Sequence, residues 1–243
     1  MPPVVFSAYS ISNSLGPMHT ENQDTYLTDQ DLGLFAVADG VGGYGGAKEA
    51  SELAIGGLKK RAYMISENES SFQSVLREIH EEIEQRANRL HIENMGTTIA
   101  AAKVFPDDSG KGGLIITANV GDSPILFFPN KTDAAERCMK VYIDDSHRDE
   151  YPFSMSGIIQ YLGLPEWEID VHTFKFRYAT GDIVLICSDG VTDNLVLRNQ
   201  EGRDPLSKLG SIVRDSRSAQ RVAESAIAAG IKPDDMTAIL LLL

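Results

Sequence analysis

Short apolar runs and two longer amphipathic stretches alternate along the chain, and they predict different elements. Val4 to Ile11 has strand character. Asp24 to Thr28 opens a second strand, a turn at Asp29, Gln30 and Asp31 follows, and Gly33 to Ala38 is a third strand antiparallel to the second. Leu34 to Ala38 is apolar without a break, as in a strand covered on both faces, and it is too short for a helix. Ala47 to Ser66 carries Ala50, Leu53, Ala54, Leu58, Ala62 and Ile65 at helical spacing; Gly56 and Gly57 weaken that helix and suit close packing on a sheet. A second helix begins at a capping box of Ser70 and Gln73 and presents Phe72, Val75, Leu76, Ile79, Ile83, Ala87 and Leu90 as one apolar stripe.

Strands then follow at short intervals: Gly96 to Val104, Leu114 to Val120, Ile125 to Phe128 and Met139 to Ile143. Asp144 to Trp167 is irregular and polar, and a flap is expected over about 146–166. Asp170 to Tyr178 alternates, with His172, Phe174, Phe176 and Tyr178 on one face that reads as core. Ile183 to Cys187 is another buried strand, a loop and helix occupy Asn199 to Asp215, and Ala219 to Ala229 is a helix ended by Gly230. Met236 to Leu243 is the closing strand. Tight turns between strands and helices arriving in pairs give an α+β fold with sheets covered by helices, in a single domain over 1–243.

Composition narrows the classes of partner. With 22 basic against 35 acidic residues the net charge is −13, which argues against nucleic acid, whose binders need a basic face. Two cysteines, Cys138 and Cys187, make no disulfide framework in 243 residues and suit a reducing compartment. No apolar run approaches a membrane span, and MPPVVFSAYS lacks the features of a signal peptide, so a cytoplasmic protein with no membrane partner is expected.

The candidate chemistry lies in carboxylates at strand ends. Asp39 follows LFAVA and precedes Gly40, Gly42 and Gly43; Asp122 follows ITANVG; Asp189 follows VLICS; Asp234 and Asp235 precede MTAILLLL; Asp24 precedes TYL. Any one of these is a turn residue by default, and Asp39-Gly40 alone reads as the turn of a hairpin. Together, if the sheets bring them to one place, they would repel one another and need cations. An all-oxygen set without obligatory Cys or His selects Mg²⁺ or Mn²⁺.

Six motifs occur in order: ENQD at Glu21 to Asp24, ADGVGG at Ala38 to Gly43, MGTT at Met95 to Thr98, NVGDS at Asn119 to Ser123, CSDGVTDNL at Cys187 to Leu195 and DDMT at Asp234 to Thr237. In these the chain resembles the PPM family of metal-dependent serine/threonine protein phosphatases, of the short bacterial type. The resemblance implies two stacked antiparallel β-sheets forming a sandwich flanked by helices on both faces, with the metal site at one edge. It implies that Asp39 bridges two Mn²⁺ or Mg²⁺ ions, that the Gly40 carbonyl binds the second, and that Asp189 and Asp234 bind the first. Asp24 then acts largely through metal-bound water, and Asp122 holds a third, weaker ion with Asp189. The implied reaction is hydrolysis of phosphoserine or phosphothreonine by a metal-activated water without a covalent intermediate. The implied partners are a phosphoprotein substrate and a cognate kinase system, with the phosphatase a monomer.

The chain departs from the family pattern at several points. His19 stands where an arginine usually holds the substrate phosphate; it is read as a phosphate contact or proton donor, against an idle loop histidine. Val41 stands where some relatives carry a histidine, GDSR is GDSP with Pro124, and DNxT is DDMT with Asp235 as an added carboxylate. His19 and Val41 keep a second reading open, a weak or inactive member acting as a binding or sensing module. An aspartyl-nucleophile phosphatase is disfavoured because LFAVADGVGG has no Asp-x-Asp pair.

Overall fold

Residues 4–13, 21–41, 45–130, 138–146, 157–165, 168–196 and 206–243 are described in a computed structural model of the chain. His19, Gly42, Gly43 and much of the expected flap lie outside these residues.

The uninterrupted run Leu34–Ala38 is a strand, β3, and its two faces serve two different cores. Leu34, Ala36 and Ala38 face a pair of helices, whereas Phe35 and Val37 face a second sheet. The first half of the chain supplies β1 (Val5–Ser12), β2 (Thr25–Asp29), β3, β4 (Gly40–Val41), α1 (Ala47–Lys60) and α2 (Glu69–Leu90). The middle supplies β5 (Gly96–Thr97), β6 (Ile99–Pro106), β7 (Gly112–Val120), β8 (Ile125–Phe128), β9 (Met139–Lys140) and β10 (His172–Ala179). The last part supplies β11 (Ile183–Cys187), α3 (Asp189–Leu195), α4 (Ser207–Ser216), α5 (Ala219–Ala229) and β12 (Asp235–Leu242).

One antiparallel sheet has the order β1-β12-β11-β8-β9 and the other β10-β7-β6-β3-β2. Phe35, Val37, Ala100, Val104 and Ile115 of one meet Ile125, Phe127, Val184, Ile186, Ile239 and Leu241 of the other in the central layer. α1 and α2 cover the outer face of the β3 sheet through Leu58, Phe72, Leu76, Ile79 and Ile83. α3, α4 and α5 cover the β12 sheet through Val191, Leu195, Leu209, Val213, Val222 and Ala226. The layers are therefore helix, sheet, sheet, helix, the sandwich that the resemblance implies. Alternation along β12 shows the same division: Met236, Ala238 and Leu240 face helices, and Ile239 and Leu241 face the opposite sheet.

Several local expectations change. α2 is capped by Asn68, whose side chain accepts from the Ser70 N–H, and not by a Ser70–Gln73 box. Gln73 instead donates across to the Val171 carbonyl at 3.3 Å, tying the helix to the strand below. Gly57 packs on Ile79 of α2 and not on a sheet. Leu90, at the end of the stripe and the last residue of the helix, is exposed. The Gly96 to Val104 run divides into β5 and β6, and β9 covers only Met139–Lys140. Phe174, Phe176 and Tyr178 of β10 are partly buried against the central layer, in keeping with a core face. Gly230 ends α5 with φ +63°, as its sequence position suggests.

Candidate active site

Strand register brings the expected residues to one edge. β2 and β3 are antiparallel with Thr25 opposite Ala38, so Asp24, just before one strand, and Asp39, just after the other, leave the sheet at the same end. In the second sheet β11 and β12 pair with Cys187 opposite Ala238, which puts Asp189 and Asp234 at a common end as well. Asp122 lies in the crossing from β7 to β8, between the sheets. The charges of Asp24, Asp189, Asp234 and Asp122 all act on Asp39, so these five carboxylates share one electrostatic site.

Asp39 is held by its backbone, and the MGTT motif does the holding. The Thr98 N–H donates to the Asp39 carbonyl at 2.8 Å, the Thr97 hydroxyl donates to the same oxygen at 2.8 Å, and the Asp39 N–H donates to Thr98 Oγ1 at 3.2 Å. Thr98 Oγ1 is 2.6 Å from the hydroxyl of Ser123 in the GDS motif, so the loop carrying Asp122 shares the anchor. Asp39-Gly40 is accordingly not the turn of a hairpin. Gly40 and Val41 form β4, paired with β5, and a Cβ on Gly40 would lie 2.6 Å from the Ala47 carbonyl oxygen. Burial first, and then the charges of Asp24, Asp189, Asp234 and Asp122, push the Asp39 carboxyl well above the usual carboxylate range.

Asp24 is 3% exposed. Its Oδ2 accepts from the Ser188 hydroxyl at 2.9 Å, whereas its buried Oδ1 has no hydrogen-bond partner. Burial raises this carboxyl to about 7, against hydrogen bonds from Thr237 and Ser188 that lower it and the charges of Asp235 and Asp189 that raise it. An orphaned carboxylate oxygen at this depth is costly unless a cation or a water meets it. Lys48 of α1 secures the backbone here, donating to the Asp24 carbonyl at 2.8 Å and to Thr25 Oγ1 at 3.1 Å.

Asp235 adds its charge beside Asp24, but both of its oxygens are already hydrogen-bonded. Its Oδ1 accepts from the Ser12 hydroxyl and its Oδ2 from the Gln23 N–H at 2.7 Å, so it splices β1 to the ENQD segment. Close approach is also needed at Gly190, where a Cβ would fall 2.2 Å from the Asp235 carbonyl oxygen. That contact brings the start of α3 against the start of β12.

Three residues at the site were not singled out from the sequence. Lys232 places its ammonium 2.7 Å from Asp234 Oδ2, 2.9 Å from Asp189 Oδ2 and 3.1 Å from Asp193 Oδ2. Burial alone would lower the Lys232 pKa, but the charges of Asp189, Asp234 and Asp193 raise it well above an ordinary lysine. Asp193 stands four residues after Asp189 on α3, which gives both one helix face; that spacing was visible in SDGVTD. Asn194 holds the Lys232 segment to α3. Among the described residues, no three Asp, Glu, His or Cys side chains form a ready cation cage, and Asp189 and Asp234 both turn toward Lys232.

His19 and the flap residues 147–156 lie outside the described residues. Of the stretch expected as a flap, residues 157–165 are described, and Gln160 in it is tied to Asp145. Asp145 Oδ1 is 2.8 Å from His172 Nε2, and its Oδ2 accepts from Gln160 at 2.8 Å and from the Gly121 N–H at 2.9 Å. Gln160 and the loop carrying Asp122 therefore share one carboxylate. Cys138 and Cys187 form no disulfide. Among the described residues no helix is long and apolar enough to cross a membrane.

A family model for Protein phosphatase 2C matches residues 18–228. The chain belongs to this family. Membership bears out the resemblance carried by the six motifs and the enzyme class it implied, a protein serine/threonine phosphatase. The serine/threonine phosphatase Stp of Listeria innocua is 26% identical over 228 residues, covering 85% of this chain and 82% of that protein. The Mycobacterium tuberculosis serine/threonine phosphatase PstP superposes with a TM-score of 0.78 at 22% identity, covering 99% of each chain. The PstP catalytic domain in complex with two manganese ions gives a TM-score of 0.75 at 22% identity, covering 98% of this chain and 97% of that one. These likenesses to solved structures establish the fold.

Proposed function

We propose that this chain hydrolyses phosphoserine and phosphothreonine in protein substrates at the sheet edge, using divalent cations held by Asp39, Asp189, Asp234 and the Gly40 carbonyl. Asp39 would be the ligand shared by the ions, Asp24 would contribute through water, and Asp122 with Asp189 would hold a further, weaker ion. The observation that carries this reading is the buried, unpartnered Oδ1 of Asp24 amid the carboxylates that act on Asp39. An all-oxygen set of this kind fits Mg²⁺ or Mn²⁺, and the manganese ions bound by PstP add support. When bound, two such ions supply charge for the phosphoryl oxygens and activate a water.

The chain's own residues have distinct tasks in this scheme. Thr97 and Thr98 fix the Asp39 backbone, the point from which its carboxylate extends. Ser188 orients Asp24. His19 takes the place of the family's phosphate arginine, contacts the substrate phosphate and is the candidate donor of a proton to the leaving alkoxide. Val41 carries no proton for that step.

The test is release of phosphate from an aryl phosphate and from a phosphothreonine peptide, with Mn²⁺ and with a chelator. Turnover with Mn²⁺ that the chelator abolishes is expected. No cation-dependent turnover on either compound would favour a binding or sensing module, the reading that His19 and Val41 keep open.

A further inference from the structure

Lys232 is positioned for the carboxylate cluster by a dedicated residue. Asn194 Oδ1 accepts from the Ile231 N–H at 2.7 Å and the Lys232 N–H at 2.9 Å. Its Nδ2 donates to the Gly190 carbonyl at 2.7 Å and the Lys232 carbonyl at 3.0 Å. All four hydrogen-bonding positions of this amide are used, and Asn194 is 1% exposed. The backbone of Lys232 is thereby fastened to α3, the helix that carries Asp189 and Asp193. Pro233 then restricts the chain before Asp234. The backbone from which the Lys232 side chain reaches the three carboxylates is thus fixed.

The place it occupies has a consequence. Asp189 and Asp234 are the two carboxylates read above as ligands of one divalent ion, and Lys232 makes its two shortest contacts with them. One oxygen of each cannot serve the ammonium and a divalent ion at full strength at the same time. Asp193, whose Oδ2 is 3.1 Å from the ammonium, gives Lys232 a carboxylate to remain on when the other two are withdrawn.

We propose that Lys232 is a built-in competitor of the divalent ion at Asp189 and Asp234: its ammonium neutralises the pair in the ion-free protein, and it swings onto Asp193 when the ion binds. The idea rests on the proposed reading of these two aspartates as ligands. Lys232 thereby weakens cation binding at this position and makes the ion-free fold tolerable, so that the loaded fraction of the enzyme follows the free cation concentration at a higher threshold.

The test needs no catalysis. Mn²⁺ binding would be followed by electron paramagnetic resonance of the free ion, without substrate, for the wild type, Lys232→Met and Lys232→Arg. Removing the competing ammonium is expected to tighten one class of sites in Lys232→Met by about tenfold or more. Lys232→Arg keeps the charge and should stay near the wild type. The ion-free melting temperature of Lys232→Met should fall, and the gap should close at saturating Mn²⁺. If Lys232→Met does not fold without the ion, acylation of the amine in the wild type gives the answer: labelling of Lys232 should rise when Mn²⁺ is added. Unchanged or weaker Mn²⁺ binding by a folded Lys232→Met, or labelling indifferent to Mn²⁺, overturns the inference. A wild type that binds no Mn²⁺ overturns the ligand reading along with it.

Discussion

The Ser188 hydroxyl donates to Asp24 Oδ2 over 2.9 Å, and this bond joins the end of β11 to the segment entering β2. The two sheets are thus tied at the edge where the carboxylates gather. Ser188 also accepts the Thr237 N–H at 3.0 Å, and its own N–H donates to the Thr237 carbonyl at 3.0 Å. Ser188→Ala leaves Asp24 with neither oxygen served by this hydroxyl. A lost hydrogen bond to a charged group is worth about 1.5–3 kcal/mol, so thermal melting should show a destabilisation of that order. Phosphatase activity should fall more than the folded fraction does, because Asp24 loses its orientation.

Asp24 also gives the protein a pH dependence of defined sign. Its carboxyl is raised from an ordinary 3.8 to about 7, chiefly by burial. The folded state therefore holds a proton that the unfolded chain releases. The associated stability is complete below about 3.8 and is lost as pH rises through about 7. In ion-free protein this contribution is on the order of a few kcal/mol. Melting temperatures in chelator should decline between pH 5 and pH 8 more steeply for the wild type than for Asp24→Asn, in which the titration is absent. Equal slopes would remove Asp24 as the cause.

Gly190→Ala tests the close approach of α3 to β12. The new Cβ would fall 2.2 Å from the Asp235 carbonyl oxygen, a backbone atom that cannot step aside alone. Overpacking of this kind typically costs about 1–3 kcal/mol. Because Asp189 and Asp234 flank the contact, Mn²⁺ affinity measured by titration calorimetry should weaken alongside the melting temperature.

Asn194→Ala removes an amide that serves the backbone at Gly190, Ile231 and Lys232. Each buried group left unpaired costs about 1–3 kcal/mol. The variant should melt markedly lower, and amide hydrogen exchange at Ile231 and Lys232 should lose its protection even in the fraction that remains folded.

Much of this arrangement could be read along the chain because it obeys local rules. β3 was legible because a strand covered on both faces shows no polar interruption, and Phe35 and Ala36 indeed serve opposite cores. The ends of β2, β3, β11 and β12 were legible as places for Asp24, Asp39, Asp189 and Asp234, since tight turns follow or precede apolar runs. α3 was not legible: it has seven residues and includes Gly190, too little for periodicity. Lys232 and Asn194 were hidden for another reason. Their partners lie up to 43 residues away, and a single lysine after a helix looks like a solvated charge. Gln73 misled because its local surroundings suggest a helix cap, whereas a tertiary partner, Val171, claims its side chain; the partners of Asp235, Ser12 and Gln23, lie far along the chain and could not be read from DDMT.

The most direct measurement of the central claim is phosphate release from a phosphothreonine peptide by the wild type and by Asp39→Asn, at the same saturating Mn²⁺ concentration. Asp39 is the carboxylate on which Asp24, Asp122, Asp189 and Asp234 all act. The expected result is turnover by the wild type that a chelator abolishes, and loss of at least about a hundredfold in the variant with its fold intact by circular dichroism. Equal rates for the two proteins, or wild-type turnover that survives chelation, would contradict the assignment of the reaction to this site.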